Sequence, residues 1–260
     1  MTVNIGFVTQ LGTPLGDSIR AAGEYDFDYV EILMDGNDHR TRLATDTDEI
    51  EDALTETEVG VMVHLPFPVD VGGPHPHVRE GGIAELTACI DTAIEIGANK
   101  GVVHPATTAW SSAWAHEDLR PGIREALGEL QEFAADRGFE LCAENIPGKP
   151  YSITEFPDRL AAVDVSMTLD TGHAYLSGYD ATEMAQFVAD HPDRVTHLHL
   201  NDNNGRSDTH LPLGAGAIDF ERFFIELPSE WEGTASVEVV TNDLQYIGES
   251  KRRIERVALN

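Results

Sequence analysis

Eight short apolar runs recur along the 260-residue chain, and their spacing limits the fold more than any other feature. They cover residues 3–8, 29–34, 60–65, 101–104, 140–144, 165–169, 195–200 and 235–240. Each has the length of a strand, and successive starts lie roughly 25 to 40 residues apart, room for one strand and one helix. Between the runs the apolar period becomes helical. Ile83, Leu86, Ile90, Ala93 and Ile94 share one face over 82–97, which Gly97 ends. Ile123, Leu127, Leu130 and Phe133 do the same over 120–137, ahead of Gly138. Shorter helices fit 181–189 and 220–227, and the very polar stretch 35–57 reads as a short helix or an irregular lobe. Eight alternations without a linker predict an α/β chain with one domain over residues 1–260. The expected architecture is a closed (β/α)₈ barrel rather than an open doubly wound sheet.

The charged residues narrow the partners. Asp and Glu number 46 against 17 Lys and Arg, a net charge of −29, so long-range repulsion disfavours nucleic acid and anionic membrane. The lysines are only Lys100, Lys149 and Lys251. An acidic, lysine-poor surface resembles that of salt-in halophiles, since it stays hydrated where salt screens self-repulsion. Cys89 and Cys142 lie in apolar segments and read as reduced, buried thiols. The chain runs from Met1 and Thr2 straight into the first strand without a basic leader region. No apolar run approaches the roughly 18 residues of a membrane span. The expectation is a soluble, cytoplasmic protein with no membrane partner.

In such a barrel the site is built where the strands end. Six of the eight runs carry a metal-capable residue there: His64, His104, Glu144, Asp170 with His173, His199, and Glu238. Singly, each has an ordinary explanation, a hydrogen-bonded histidine or a paired glutamate. Together they would place several buried carboxylates around one axis, and no arginine lies on these strand ends to compensate them. A divalent cation is the economical source of positive charge. The turn Asp170-Thr171-Gly172-His173 can bring two ligand types onto one centre. Asp208 and His210, at i and i+2, would point the same way from an extended segment. The same parity holds for His197 and His199, of which His197, deeper in the strand, is expected to support rather than ligate.

At these residues the chain resembles the xylose isomerase-like TIM-barrel superfamily, over nearly its whole length. The resemblance is most specific at Glu144-Asn145, at 169–174, and at His199 to Asp202. It continues through Asp208-Thr209-His210, Gly214-Ala215-Gly216 and Glu238. It implies an enzyme of carbohydrate metabolism, a sugar or sugar-phosphate isomerase or epimerase. In that group a Glu, Asp, His, Glu set holds one Mn²⁺, Mg²⁺ or Co²⁺, matched here by Glu144, Asp170, His199 and Glu238. The ion would stabilise an enediolate of an open-chain sugar, with Glu144 and Glu238 as catalytic acid and base on opposite faces. The endonuclease IV type in the same superfamily uses up to three Zn²⁺ on abasic-site DNA. Its additional ligand positions are matched by His64, His104, His173, Asp208 and His210.

Three features favour the sugar enzyme over the zinc phosphodiesterase. Gly172 stands where the endonuclease motif carries cysteine. The loops, such as 66–82 with His75, His77 and Arg79, hold no basic cluster for bending DNA. The net charge also opposes DNA, though weakly, because halophilic nucleic-acid enzymes are acidic too. A barrel that only binds a small ligand would have no reason to keep both glutamates. Superfamily relatives often pair, which implies a homodimer. Substrate contacts are expected from Phe67, Trp110 and Trp114 as stacking faces, and from Lys149 or Arg206 if the sugar carries a phosphate. His75 and His77 read as an exposed, flexible loop, and Glu31 as the partner of an arginine.

Overall fold

The computed structural model describes residues 3–258; Met1 and Thr2, the expected lead-in to the first strand, lie outside the described residues. The strands are β1 Asn4–Val8, β2 Tyr29–Leu33, β3 Gly60–His64, β4 Lys100–Val103, β5 Glu140–Glu144, β6 Ser166–Asp170, β7 Val195–Leu200 and β8 Thr234–Val237. They pair in parallel and in chain order, and β8 pairs with β1 to close the ring. The (β/α)₈ barrel expected from the spacing of the apolar runs is the observed fold. The strand interiors are buried on both faces, as parallel strands covered by helices must be.

The helices are α1 Leu15–Glu24, α2 Arg40–Leu43, α3 Thr47–Thr57, α4 Pro76–Glu95, α5 His116–Ala135, α6 Phe156–Arg159, α7 Thr171–Leu176, α8 Ala181–Asp190, α9 Phe220–Glu226 and α10 Gln245–Ala258. Their apolar faces, with Ile19, Ile90, Ile123, Leu127 and Val188 buried, cover the outside of the barrel. Helix α8 starts on a reciprocal cap. Asp180 accepts from the Glu183 amide at 2.9 Å, and Glu183 accepts from the Asp180 amide at 2.8 Å. The polar stretch after β2 is mostly helical, with α2 and α3 joined to β2 by a short 3-10 turn at Gly36–Asp38.

Some boundaries differ from the sequence expectation. Helix α4 begins six residues early because Pro76 occupies its first position, where the missing N–H has no intrahelical partner anyway. His75 therefore holds the position just before the helix, without a capping hydrogen bond, and His77 lies in the first turn, against Glu80 at 3.1 Å, rather than on a flexible loop. Strand β8 stops at Val237, so Glu238 has already left the ladder, although its amide still donates to the Leu200 carbonyl at 3.0 Å. Both cysteines are free and buried as expected, and burial pushes their thiols up to about 12. Among the described residues no helix is long and apolar enough to cross a membrane.

One glycine shapes the barrel interior. A Cβ at Gly6 on β1 would meet the Tyr29 ring at 2.3 Å. The absent side chain lets that ring lie across the interior, with its hydroxyl 3.0 Å from Ser236 Oγ on β8.

Candidate metal centre and active site

Strand register brings the predicted residues together. Asp170 on β6 pairs with His199 on β7, and His199 pairs with Ser236 on β8. Glu238, two residues past Ser236, returns to the same side of the sheet. Glu144 ends β5 next to β6. Ligand atoms of Glu144, Asp170, His199 and Glu238 lie within 4.8 Å of one another. His199 Nδ1 is 3.4 Å from Glu144 Oε2 and 3.2 Å from Glu238 Oε2. His173 Nδ1 joins them, 3.0 Å from Glu144 Oε1 and 3.5 Å from Asp170 Oδ1.

These short contacts bring opposite charges together without hydrogen-bond geometry. Among the described residues, Glu144 Oε1, His173 Nδ1, His199 Nδ1 and Glu238 Oε2 are buried with no hydrogen-bond partner. A buried polar atom left in that state costs about 1–3 kcal/mol, and here four of them crowd one point. Carboxylate oxygens with imidazole nitrogen are the donor set of a borderline divalent ion such as Mn²⁺ or Zn²⁺. The residues present fit a metal.

Without an ion, protons do the neutralising. Burial would raise Glu238, but His199 and His210 outweigh it and hold the carboxyl at about 2. Glu144 is also buried, and the neighbouring His104 and His199 still keep it well below its usual range. Burial, partly offset by His173 and reinforced by Glu238 and Glu144, pushes Asp170 up to about 7. Burial alone would lower His173 and His199, yet the surrounding carboxylates hold both well above their usual range. Burial also opposes the proton on His210, but Glu238 and Asp208 lift it to about 10.

The remaining predicted ligands flank this centre on two sides. His104 Nε2 and His64 Nε2 approach Glu144 Oε2 at 3.1 and 3.5 Å. His173 Nε2 and His210 Nε2 approach the two oxygens of Asp208 at 3.0 and 3.1 Å. His64 Nδ1 donates to the Leu65 carbonyl and His210 Nδ1 to the Glu238 carbonyl, so both rings present Nε2 inward. His64, His104 and Glu144 form one ligand group, and His173, Asp208 and His210 another. Asp208 and His210 do converge, but not from an extended segment. His210 has φ 42°, a left-handed turn that swings its ring back over Asp208.

Supporting residues to which the sequence assigns no role hold these groups. Asn145 brackets Asp170, accepting from its amide at 2.8 Å and donating to its carbonyl at 3.2 Å. Asn201 Nδ2 donates to Asp170 Oδ2 at 2.6 Å, while Asp170 Oδ1 caps α7 by accepting from the His173 amide at 2.5 Å. Asp202, fully buried, accepts from the amides of Asn203, Gly214, Gly216 and Ile218 at 2.8–3.0 Å. It thereby closes the loop that carries Asp208 and His210. The available signal is position: each of the three directly follows, or nearly follows, a strand-end ligand.

Above the centre opens a cavity of about 730 Å³. Glu144, Glu238, His64, His104, His173, Asp208 and His210 line its polar side, and Leu11, Leu33, Phe67, Val69 and Val239 an apolar one. Asp170 and His199 are fully buried behind Glu144 and Glu238. Of the expected substrate contacts, Phe67 lines the cavity with its ring 5.7 Å from that of His104, and Lys149 lines it as well. Trp110 and Arg206 do not. Trp110 is 73% exposed, and Arg206 is exposed on the loop after Asn204, whose side chain accepts from the Arg206 amide. Among the described residues, Lys149 is the one lysine or arginine on the cavity wall.

Glu31 also departs from expectation. Its carboxylate lies inside the barrel against His199, His197 and Ser236 at 3.1, 3.2 and 2.5 Å, not against an arginine. His197 faces Glu31 and Thr234, below the centre.

Fold and site together define a parallel (β/α)₈ barrel with a carboxylate–histidine centre at the C-terminal strand ends. Residues 19–257 match the family model described as xylose isomerase-like TIM barrel, and the chain belongs to that family. A Methanocaldococcus jannaschii protein, MJ1311, is 26% identical over 249 residues, 92% of this chain and 83% of its own length. The "Probable endonuclease 4" of Mycobacterium leprae is 27% identical over 219 residues, 79% of this chain and 82% of its own. The crystal structure of a D-tagatose 3-epimerase-like protein shares the fold with a TM-score of 0.83 at 24% identity, covering 98% of this chain and 97% of that one.

Proposed function

We propose that this protein is a divalent-metal-dependent isomerase or epimerase of a small open-chain sugar, moving a proton beside the carbonyl group. The observation that carries this reading is the pair Glu144 and Glu238. Glu144 ends β5 and Glu238 directly follows β8, three strands further around the ring; both line the cavity, and each keeps a buried oxygen without a hydrogen bond. When bound, a metal at Glu144, Asp170, His199 and Glu238 supplies a Lewis acid that polarises the carbonyl and stabilises enediolate charge. One glutamate, as carboxylate, removes the proton from the carbon beside the carbonyl; its counterpart, after taking a proton from solvent, returns it on the opposite face, and the first then releases its proton to solvent. The apolar wall of Leu11, Leu33, Phe67 and Val239 covers the C–H face of a sugar and excludes water. Lys149, the one lysine or arginine on the wall among the described residues, suits a neutral sugar or one phosphate group.

A second reading has its own support. The two flanking ligand groups supply donors for further ions, which favours a trinuclear zinc phosphodiesterase acting on abasic-site DNA. Two features weigh against it. A Cβ at position 172 would fall 1.9 Å from Asn201 Oδ1, so a cysteine there would displace the asparagine that holds Asp170. The cavity wall, with one lysine, offers little to a phosphate backbone. Metal analysis of the purified protein, with ketohexose turnover in D₂O and cleavage of an abasic oligonucleotide, separates the two. One ion per chain with deuterium entering beside the carbonyl supports the sugar enzyme; close to three zinc ions with strand cleavage replaces it by the phosphodiesterase.

A further inference from the structure

Beneath His199 the barrel interior holds a second cluster, Glu31, His197 and His199, whose composition also matches a metal site. Its hydrogen bonds exclude that use and assign it another. Glu31 has three neighbours within hydrogen-bond distance. His199 Nε2 lies 3.1 Å from Oε1, while His197 Nε2 and Ser236 Oγ lie 3.2 and 2.5 Å from Oε2. The proton directions follow by elimination. Ser236 gives its one proton to Glu31, so it must accept from the Tyr29 hydroxyl at 3.0 Å. His197 gives Nε2–H to Glu31, so its Nδ1 accepts from the Thr234 hydroxyl at 2.7 Å, a much shorter contact than the 3.5 Å from that hydroxyl to the Thr196 carbonyl. Both chains of donors, Tyr29 through Ser236 and Thr234 through His197, end on the Glu31 carboxylate. Among the described residues, none of the polar atoms of Tyr29, Glu31, His197, Thr234 or Ser236 is buried without a partner. The one atom of the cluster that lacks a partner, His199 Nδ1, lies on the far edge of the ring and faces Glu144 and Glu238.

We propose that Glu31 is a positioning residue for the metal centre: by accepting the Nε2–H of His199 it leaves Nδ1 as the ring atom that meets the ion, and it fixes the ring plane. This rests on the metal-dependent reading above. The cost of burying Glu31 at the barrel axis is offset by the three donors that converge on it. A glutamine there cannot do the same work. Its amide has one acceptor oxygen, and its NH₂ group must face either His197 or His199, which forces the ring it meets to reverse its proton placement.

The test is Mn²⁺ titration of the full chain as wild type, Glu31→Gln, Glu31→Asp and Thr234→Val, with the melting temperature of each metal-free protein measured alongside. Glu31→Gln is expected to weaken Mn²⁺ binding about 10–100-fold, and Glu31→Asp, which keeps the carboxylate, by less. Thr234→Val disturbs the same layer without touching His199 and should lower the melting temperature while leaving Mn²⁺ affinity unchanged. Imidazole ¹⁵N signals of the Zn²⁺-loaded wild type should show His199 protonated at Nε2 and coordinated at Nδ1, a readout that needs no variant to fold. Equal Mn²⁺ affinity in wild type and Glu31→Gln, or the reverse tautomer at His199, would overturn the inference and leave the proposed function standing. A wild type that binds neither ion would overturn both.

Discussion

The two edges of the His199 ring face clusters of the same residue types in opposite states. On the Nε2 edge, Glu31, His197, Ser236, Tyr29 and Thr234 form a closed set in which each proton has an acceptor. On the Nδ1 edge, His199 faces Glu144 and Glu238 at 3.4 and 3.2 Å, and His173 Nδ1 stands 3.0 Å from Glu144, through buried atoms that make no hydrogen bond. A count of His and Glu within ligand distance marks both clusters alike. The satisfaction of the polar atoms separates the two, because only on the Nδ1 edge do several buried ligand atoms without hydrogen bonds crowd one point.

The contrast can be broken most strongly at Glu238. Glu238→Gln, assayed at saturating metal, should lower kcat for sugar turnover about 10²–10⁴-fold, the range of a lost acid–base group. Turnover at the wild-type rate would remove Glu238 from the chemistry.

A second measurement uses pH on the metal-free protein. His210 is raised to about 10 by Glu238 and Asp208, despite burial. A histidine raised in the folded state contributes stability that is complete below its ordinary value of 6.5 and is lost as pH climbs through about 10. Asp170, raised from 3.8 to about 7, contributes with the same sign at lower pH. The melting temperature of the metal-free chain should therefore fall from pH 6.5 to 10. Bound Mn²⁺ should flatten the fall, since the ion takes over the neutralising role. A flat metal-free profile would show that the upper cluster is not held together by these protons.

The smallest effect is expected on the closed side. Ser236→Ala removes one of the three donors to Glu31 and the acceptor of the Tyr29 hydroxyl. It should cost about 1–2 kcal/mol, or a few degrees of melting temperature, with kcat unchanged. A loss of kcat without a loss of stability would make this layer part of the reaction.

Much of the upper cluster is legible in the sequence. Glu144, Asp170 and His199 end or nearly end apolar runs, and a closed barrel places such ends on one ring. The lower cluster is not legible in this way. Glu31 meets His197 and His199 across 166 and 168 residues of chain, and nothing local distinguishes it from a glutamate paired with an arginine. The mouth loops are equally opaque. Arg206 and Lys149 both follow strand-end ligands, yet only Lys149 reaches the cavity, because backbone turns in each loop decide where its side chains go.

The sequence by itself determined the eight-fold alternation, the closure it implies and the set of residues at the strand ends. These follow from apolar period and covalent spacing, which act over a few residues. Tertiary structure alone decided which polar groups find partners. Closing the ring lets Tyr29, in the space left by Gly6, reach Ser236, and lets Ser236, His197 and His199 converge on Glu31. The same closure leaves the Nδ1 edge of His199 facing Glu144 and Glu238 without a hydrogen bond to either. Proton bookkeeping of that kind depends on atoms brought together from distant segments, so no local pattern could have written it.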